Sequence, residues 1–215
     1  MKKPYLKQLV VILFTGIALV SCSQEYSELI PDGYIPKDIN VARTCSDSRE
    51  DEFDLQKLKA KVFLEQKNEY NQDVVFFIDM HLPSQNFRFF IYDFEQDSIS
   101  HKGLVAHGSG SEIGDSLVFS NIPESYQSSI GNYRIGAKYS GNFGESYKLH
   151  GLDKTNNNAY KRYIVLHPYS CVPDEEQEFP ICLSLGCPMV SDNFIEIMYP
   201  IIDNSKKPIL LVMYY

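Results

Sequence analysis

Apolar positions repeat at helical spacing from about Asp51 and fall in strand-like runs, alternating or continuous, from about Asp73. Between Asp51 and about Asn68, Phe53, Leu55, Leu58, Val62, Phe63 and Leu64 form an apolar stripe with lysines between them. The spacing predicts one helix that packs on the domain. From Asp73 the pattern turns to strands. VVFFIDMHL is β-branched and aromatic. FRFFIYDF alternates, with Phe87, Phe89 and Ile91 on one face and Arg88, Phe90 and Tyr92 on the other. HKGLVAHGSG reads as a third strand running into a glycine turn, so the three predict an antiparallel meander. Glycine and serine dominate from Gly108 to Gly144, with short strands such as NYRIGAKYSG between turns. KLHGL and RYIVLH predict two further strands. In RYIVLH, Tyr163, Val165 and His167 share a face, and His167 ends the strand. Asn193 to Tyr199 suits a short helix stopped by Pro200, and PILLVMYY reads as a buried final strand. The pattern as a whole predicts a mainly β fold with helices at its edges.

The N-terminal stretch reads differently. Lys2, Lys3 and Lys7 precede an apolar run from Leu9 to Val20 that is short for a membrane span. The run ends in Leu19-Val20-Ser21-Cys22, which resembles a bacterial lipobox. The resemblance implies cleavage before Cys22 and lipid on that cysteine; the alternative is an ordinary signal peptide with a chance cysteine. Each buried CH₂ of a lipid chain contributes about 0.8 kcal/mol, so several chains hold a protein on a membrane. Ser23 stands where aspartate is usually linked to inner-membrane retention, which weakly favours the outer membrane. Ser23 to about Arg49 is polar, carries Pro31, Gly33 and Pro36, and reads as a tether. The expected organisation is a leader over residues 1–21, a tether over 22–50 and one domain over 51–215.

A net charge of −8 argues against nucleic acid and against electrostatic adhesion to anionic lipid. Five cysteines are present. Cys171 and Cys182 bracket a short acidic loop bounded by prolines, and an exported chain can bridge them. The bridge would stabilise by about 3 kcal/mol; reduced, partly buried thiols are the alternative. There is no C-x-x-C pair and no H-x₃-H spacing, so neither zinc nor any other cofactor is expected.

The candidate chemistry lies in RYIVLHPYS and LSLGCPMV, where sixteen residues separate His167 from Ser184. An imidazole and a thiol about 20 residues apart, each beside turn-forming residues, read as a base and a nucleophile. The thiol attacks as thiolate, so it needs a nearby positive charge or base; His167 as imidazolium would serve and later return a proton to a leaving amine. Gly186 lets backbone approach a substrate carbonyl, and the Gly186 and Cys187 amides are candidate oxyanion donors. Pro188 pins the chain after the cysteine, and Ser184 either bonds near the histidine or shapes the turn.

From Val105 to Cys187 the pieces VAHGSGS, FSN, SYQSSIGNYRIG, YSGNFGES, LHGLD, NNNAYKRYIVLH and SLGCP occur in order. Together they resemble the murein L,D-transpeptidase catalytic-domain family. The resemblance implies a β-sandwich-like catalytic domain, with the nucleophile on Cys187 and its histidine on His167. Commoner relatives carry histidine where Leu185 stands and arginine where Met189 stands; the branch with SxGCP lacks both. Arg134 or Arg162 could bind a substrate carboxylate in that place; the alternative is that both are surface or strand-edge cations. The implied substrates are peptidoglycan stem peptides. The implied outcome is transfer to an amine or hydrolysis, and a wall-binding protein without turnover is the alternative. His107, in HGSG, is expected in a turn lining the cleft. His150, in LHGLD, mimics the His-Gly pair of some relatives from 37 positions before Cys187, too far for the usual motif; His107 and His150 are expected to bind substrate, with a role as alternative base left open for either. Tyr126, Ser128, Ser129 and Tyr147 either line the groove or pack the core.

Overall fold

The structure is a computed structural model that describes residues 48–114 and 116–215. The expected leader, Cys22, the tether and Cys45 lie outside the described residues. The chain divides into Met1–Asp51 and Glu52–Tyr215; apart from the first residues of helix α1, everything below concerns the second unit.

The expected helix is α1, Ser48–Gln66. The strands are β1 (Val74–Asp79), β2 (Phe89–Asp93), β3 (Ser98–Gly103), β4 (Glu112–Ile113), β5 (Ser116–Leu117), β6 (Gly131–Gly141), β7 (Gly144–Gly151), β8 (Val165–Pro168), β9 (Met189–Val190) and β10 (Leu210–Tyr214). Helix α2, Asp192–Asp203, precedes β10. Eight strands form one mixed sheet in the order β3-β2-β1-β10-β6-β7-β8-β9, and β4 pairs with β5 in a separate ribbon. Within the large sheet β1 runs parallel to β10 and β8 parallel to β9. The fold is mostly β, as the alternation predicts.

The predicted meander is present as β1, β2 and β3. Its third strand, however, lies earlier than HKGLVAHGSG. Strand β3 is exposed until Gly103, whereas Leu104, Val105 and Ala106 are buried but leave the ladder. Apolarity marked burial here, not strand pairing. The C-terminal helix also departs from expectation, because Pro200 lies inside it. Ser191 caps that helix by accepting the Phe194 N–H, and Phe194, Ile195 and Met198 bury its inner face. That burial outweighs the one hydrogen bond a proline removes near a helix end.

Both faces of the sheet centre are covered, which is why its strands read as continuous apolar runs. Phe76 and Ile78 of β1, with Leu211 and Met213 of β10, pack with α2. Val75 and Phe77, with Leu210, Val212 and Tyr214, pack with Ala60 and Leu64 of α1. A third cluster, Leu104, Ala106, Val172, Ile181 and Met189, lies beside the Cys171–Cys182 disulfide. That bridge is one of the two alternatives left open by the sequence. Among the described residues no helix is long and apolar enough to cross a membrane.

Candidate active site

The parallel pairing of β8 with β9 builds the site. His167 pairs with Met189 and Pro168 with Val190. Cys187 stands two residues before Met189, level with Val165, and the Val165 N–H donates to its Sγ at 3.4 Å. The thiol in turn donates to the Tyr163 carbonyl at 3.7 Å. His167 lies two residues further along β8 on the same face as Val165, about 7 Å along the strand. Its Nδ1 is 2.9 Å from the Pro168 carbonyl oxygen, which can only accept. The Nδ1 therefore carries the proton and Nε2 keeps the basic lone pair. Phe143, at the tip of the β6–β7 hairpin, stacks on the His167 ring with centroids 4.4 Å apart, and His167 is 2% exposed.

Burial disfavours charge on both partners. It pushes the Cys187 thiol up, opposed by the Val165 N–H and the Arg162 charge. It pushes the His167 imidazole down, opposed by the bond to Pro168. The resting pair is thus a neutral thiol and a neutral imidazole, not the thiolate and imidazolium expected from sequence. The thiol and the ring are not hydrogen-bonded to each other; the S–H points to Tyr163. In this arrangement the thiol proton is directed to Tyr163 and not to Nε2.

The turn before the cysteine is held through Ser184 and Gly186. Ser184 Oγ accepts the Gly186 N–H at 3.0 Å. Of the two expectations for Ser184, this bond is the one that shapes the turn. It also corrects one expectation, since the Gly186 amide is engaged and is not a free oxyanion donor. Among the described residues the Cys187 N–H has no hydrogen-bond partner, which leaves it as the donor available beside Sγ. The Gly186 carbonyl accepts from Ser128 Oγ at 3.4 Å, and the same Oγ accepts the Gly108 N–H at 3.0 Å. Gly186 has φ +114°, and a Cβ there would sit 2.8 Å from the Gln127 carbonyl oxygen. A Cβ on Gly108 would sit 2.2 Å from the Tyr126 carbonyl oxygen and 2.9 Å from Gly186 Cα.

The other sequence candidates distribute unevenly. Arg162 is half-buried and spends four donors on its own chain: Nη1 on Ser120 O and Ser129 Oγ, Nη2 on Ser125 Oγ and Gln127 O. It pins the 120–129 segment and presents its charge to Cys187, with little left to grip a substrate carboxylate. Arg134 pairs with His150 across β6 and β7, away from the thiol's level. The His150 ring stacks on Tyr160 with centroids 4.7 Å apart. Lys148 pairs with Val165, so His150 shares the face of His167 but stands on the opposite side of the thiol's level. His107 does not line a cleft: it is 3% exposed, and its Nδ1 is 2.8 Å from an Arg88 nitrogen. Met189 is buried at 5%, so the position where commoner relatives carry arginine belongs here to the core. Ser128, Ser129 and Tyr147 are buried, while Tyr126 is half exposed.

Three residues escaped the sequence reading. Phe143 is the one aromatic in the glycine-flanked hairpin tip GNFG, a signal that was available. Arg88 is a lone cation among aromatic residues in FRFFIYDF, also visible. Tyr163, with φ +57° and 86% exposure, had no signal, because strand alternation placed it in β8.

The profile of the L,D-transpeptidase catalytic domain family matches residues 48–214. Among solved structures, the chain is similar to an L,D-transpeptidase from Xylanimonas cellulosilytica, at 12% identity and TM-score 0.36 over 66% of this chain and 60% of that one. It is similar to an L,D-transpeptidase from Mycobacterium smegmatis at 10% identity and TM-score 0.39, over 66% of this chain and 59% of that one. It is also similar to the helical cell shape determining protein Pgp2 from Campylobacter jejuni, at 13% identity and TM-score 0.41 over 66% and 47%. The chain thus spans about three fifths of the first two structures and about half of the third. No curated protein sequence matches the chain. The structural likenesses are too low to add to the assignment, which rests on the family profile covering most of the chain. On that ground this chain belongs to the L,D-transpeptidase catalytic domain family.

Proposed function

We propose that the chain is a peptidoglycan L,D-transpeptidase with Cys187 as nucleophile and His167 as its base. The observation that carries this reading is the placement of Cys187 Sγ on the Val165 N–H, with His167 two residues along the same strand face. Sγ attacks the carbonyl of the third residue of a stem tetrapeptide, and Nε2 of His167 takes the thiol proton. The Sγ–C bond forms, the C–N bond to the terminal D-alanine breaks, and His167 returns the proton to the leaving amine. The Cys187 N–H faces the developing oxyanion. An amine of a neighbouring stem then attacks the thioester, releases the thiol and leaves a 3–3 cross-link. Water in place of the amine gives an L,D-carboxypeptidase. Transfer over hydrolysis requires a positioned acceptor, and orientation contributes about 7–11 kcal/mol. Arg162 biases the thiol toward thiolate, and His150 and the exposed Tyr163 stand on the side of the thiol opposite His167. No cofactor is required. Cys22 carries the lipid anchor that places the domain at a membrane facing the wall.

Incubation of the protein with disaccharide-tetrapeptide, followed by mass spectrometry, tests the reading. Cross-linked dimer is expected; tripeptide alone makes the enzyme a carboxypeptidase, and unchanged substrate makes it a wall binder. Cys187→Ala is expected to abolish either product and all covalent acylation by a carbapenem, and D-alanine release by that variant would overturn the assignment. Cys22→Ala is expected to free the protein from the membrane fraction or block its processing.

A further inference from the structure

Behind the cysteine turn lies a buried cation that the mechanism does not use. Arg88 is 0% exposed. Its Nε and one Nη donate to the Val105 carbonyl at 3.0 and 2.7 Å, and the other Nη donates to the Leu82 carbonyl at 3.1 Å. The same Nη that reaches Val105 lies 2.8 Å from His107 Nδ1, so the imidazole accepts there and is neutral with its proton on Nε2. That Nε2 is 3.3 Å from Glu112 Oε1 without hydrogen-bond alignment and has no other partner. None of Arg88's hydrogen-bond partners is a carboxylate. The Asp79 and Glu112 carboxylates favour its charge from outside that set of bonds, and a charge taken out of water without a hydrogen-bonded anion is costly unless its donors are satisfied and fix something specific.

What they fix is residues 105–109. The His107 carbonyl accepts the Ser184 N–H at 2.8 Å, and the Ser109 N–H donates to the Ser184 carbonyl at 2.8 Å. The Ala106 N–H donates to the Met189 carbonyl at 2.8 Å. The segment therefore holds the turn that carries Cys187 at both of its ends, and the Gly108–Ser128–Gly186 hydrogen bonds hold it in the middle. On the other side the segment is held by Arg88. The Arg88 backbone is itself locked in the sheet, its N–H on the Gly103 carbonyl and its carbonyl on the Asp79 N–H.

We propose that Arg88 and His107 are positioning residues that hold the Cys187 turn in register with β8. The inference rests on the reading of Cys187 as nucleophile and adds a strut to it. The guanidinium fork spans two carbonyls and one ring nitrogen, a geometry that lysine cannot reproduce. Burial and the Arg88 charge hold His107 down to about 4, which keeps it an acceptor at neutral pH.

The test is the pH profile of Cys187 alkylation by iodoacetamide, mapped to the Cys187 peptide, together with kcat and KM on disaccharide-tetrapeptide. His107→Leu is expected to move the profile and lower kcat about 10-fold to 100-fold, with KM little changed, as a small misplacement does. His107→Asn restores an acceptor at the Nδ1 position and is expected to recover most of both. Should His107→Leu fail to fold, Arg88→Lys, which keeps the charge, is expected to give the same shift. A wild-type profile and kcat in His107→Leu or Arg88→Lys would overturn the proposal. So would equal losses in the Leu and Asn variants that only follow melting temperature. Alkylation does not depend on the reaction catalysed. If Cys187→Ala still released D-alanine, the function would be wrong, while the alkylation shift would still judge the strut.

Discussion

Around Phe77, on the α1 side of the sheet, the neighbours are apolar. Phe53 and Tyr92 meet its ring edge-on at 5.3 and 6.2 Å, and Val75, Leu210 and Val212 complete the layer. Cys187 also packs against the apolar core, but its turn is set by backbone atoms and the groups that satisfy them: Val165 N–H, Tyr163 carbonyl, Ser128, Ser184, and the two arginines that hold the flanking segments. Apolar packing is non-directional and roughly proportional to area, so it sets stability. Hydrogen bonds to carbonyls are directional, so they set where an atom sits. The region around Phe77 should therefore fail by unfolding, and the region around Cys187 by losing its aim.

The sharpest break of this contrast is at His167. His167→Ala is expected to lower kcat by about 10²–10⁴, because acid–base help is lost, and to lower the melting temperature as well, because a buried ring stacked on Phe143 is removed. Full activity in that variant, read by the tetrapeptide assay, would remove His167 from the site. Next comes a pair of substitutions with opposite readouts. Phe77→Ala should cost about 3–5 kcal/mol in urea unfolding and leave kcat per folded molecule unchanged. Gly186→Ala should do the reverse, with kcat down about 100-fold, since φ +114° and the 2.8 Å approach to Gln127 force the turn to shift. Equal stability losses in both variants would erase the distinction between the regions.

Acid should strain the site half first. His107 binds its proton near pH 6.5 when unfolded but is held down to about 4 in the fold, by burial first and Arg88 second. The unfolded chain then binds more protons between those values, so stability falls as pH drops from about 6.5 to about 4. Burial also pushes His167 down, which adds loss of the same sign. The His107 share is about 3 kcal/mol. Urea midpoints at pH 7 and pH 4.5 should show that loss, and His107→Asn should recover part of it; an identical pH slope in the variant would disprove the assignment. The smallest effect expected is at the disulfide. Cys171→Ser with Cys182→Ser should lower stability by about 3 kcal/mol or less and leave substantial kcat, because the bridge closes a loop beside the turn and no site atom bonds to it. Free alkylation of both thiols without reduction would show that the protein lacks the bridge.

The legibility of each element follows its range of interaction. Helix α1, β1, β2, β6, β7, β8 and β10 were all visible as local periodicity, because each buries a face against neighbours that the pattern itself announces. The sequence misread residues 104–106, where apolar side chains are buried against Val172, Ile181 and Met189 without a continuous ladder. It misread Pro200, where the packing of Phe194, Ile195 and Met198 overrode a local stop. Within the site, His167 and Cys187 stood out by residue type and spacing, whereas His107 was placed on the wrong side of the turn.

By itself the sequence determined a mainly β chain, its helical start and buried last strand, the two residues proposed for the chemistry, and the family those motifs belong to. These are properties of side-chain period and of short ordered motifs, which are written locally. Only the tertiary structure decided that β8 and β9 run parallel and so set Cys187 level with Val165. It alone decided that Ser184 occupies the Gly186 amide, that Arg162 is spent on residues 120–129, and that Arg88 and His107 stand behind the turn. Those contacts join residues far apart in sequence through backbone carbonyls. A carbonyl is the same in every residue, so the sequence carries no mark of which one an arginine will find.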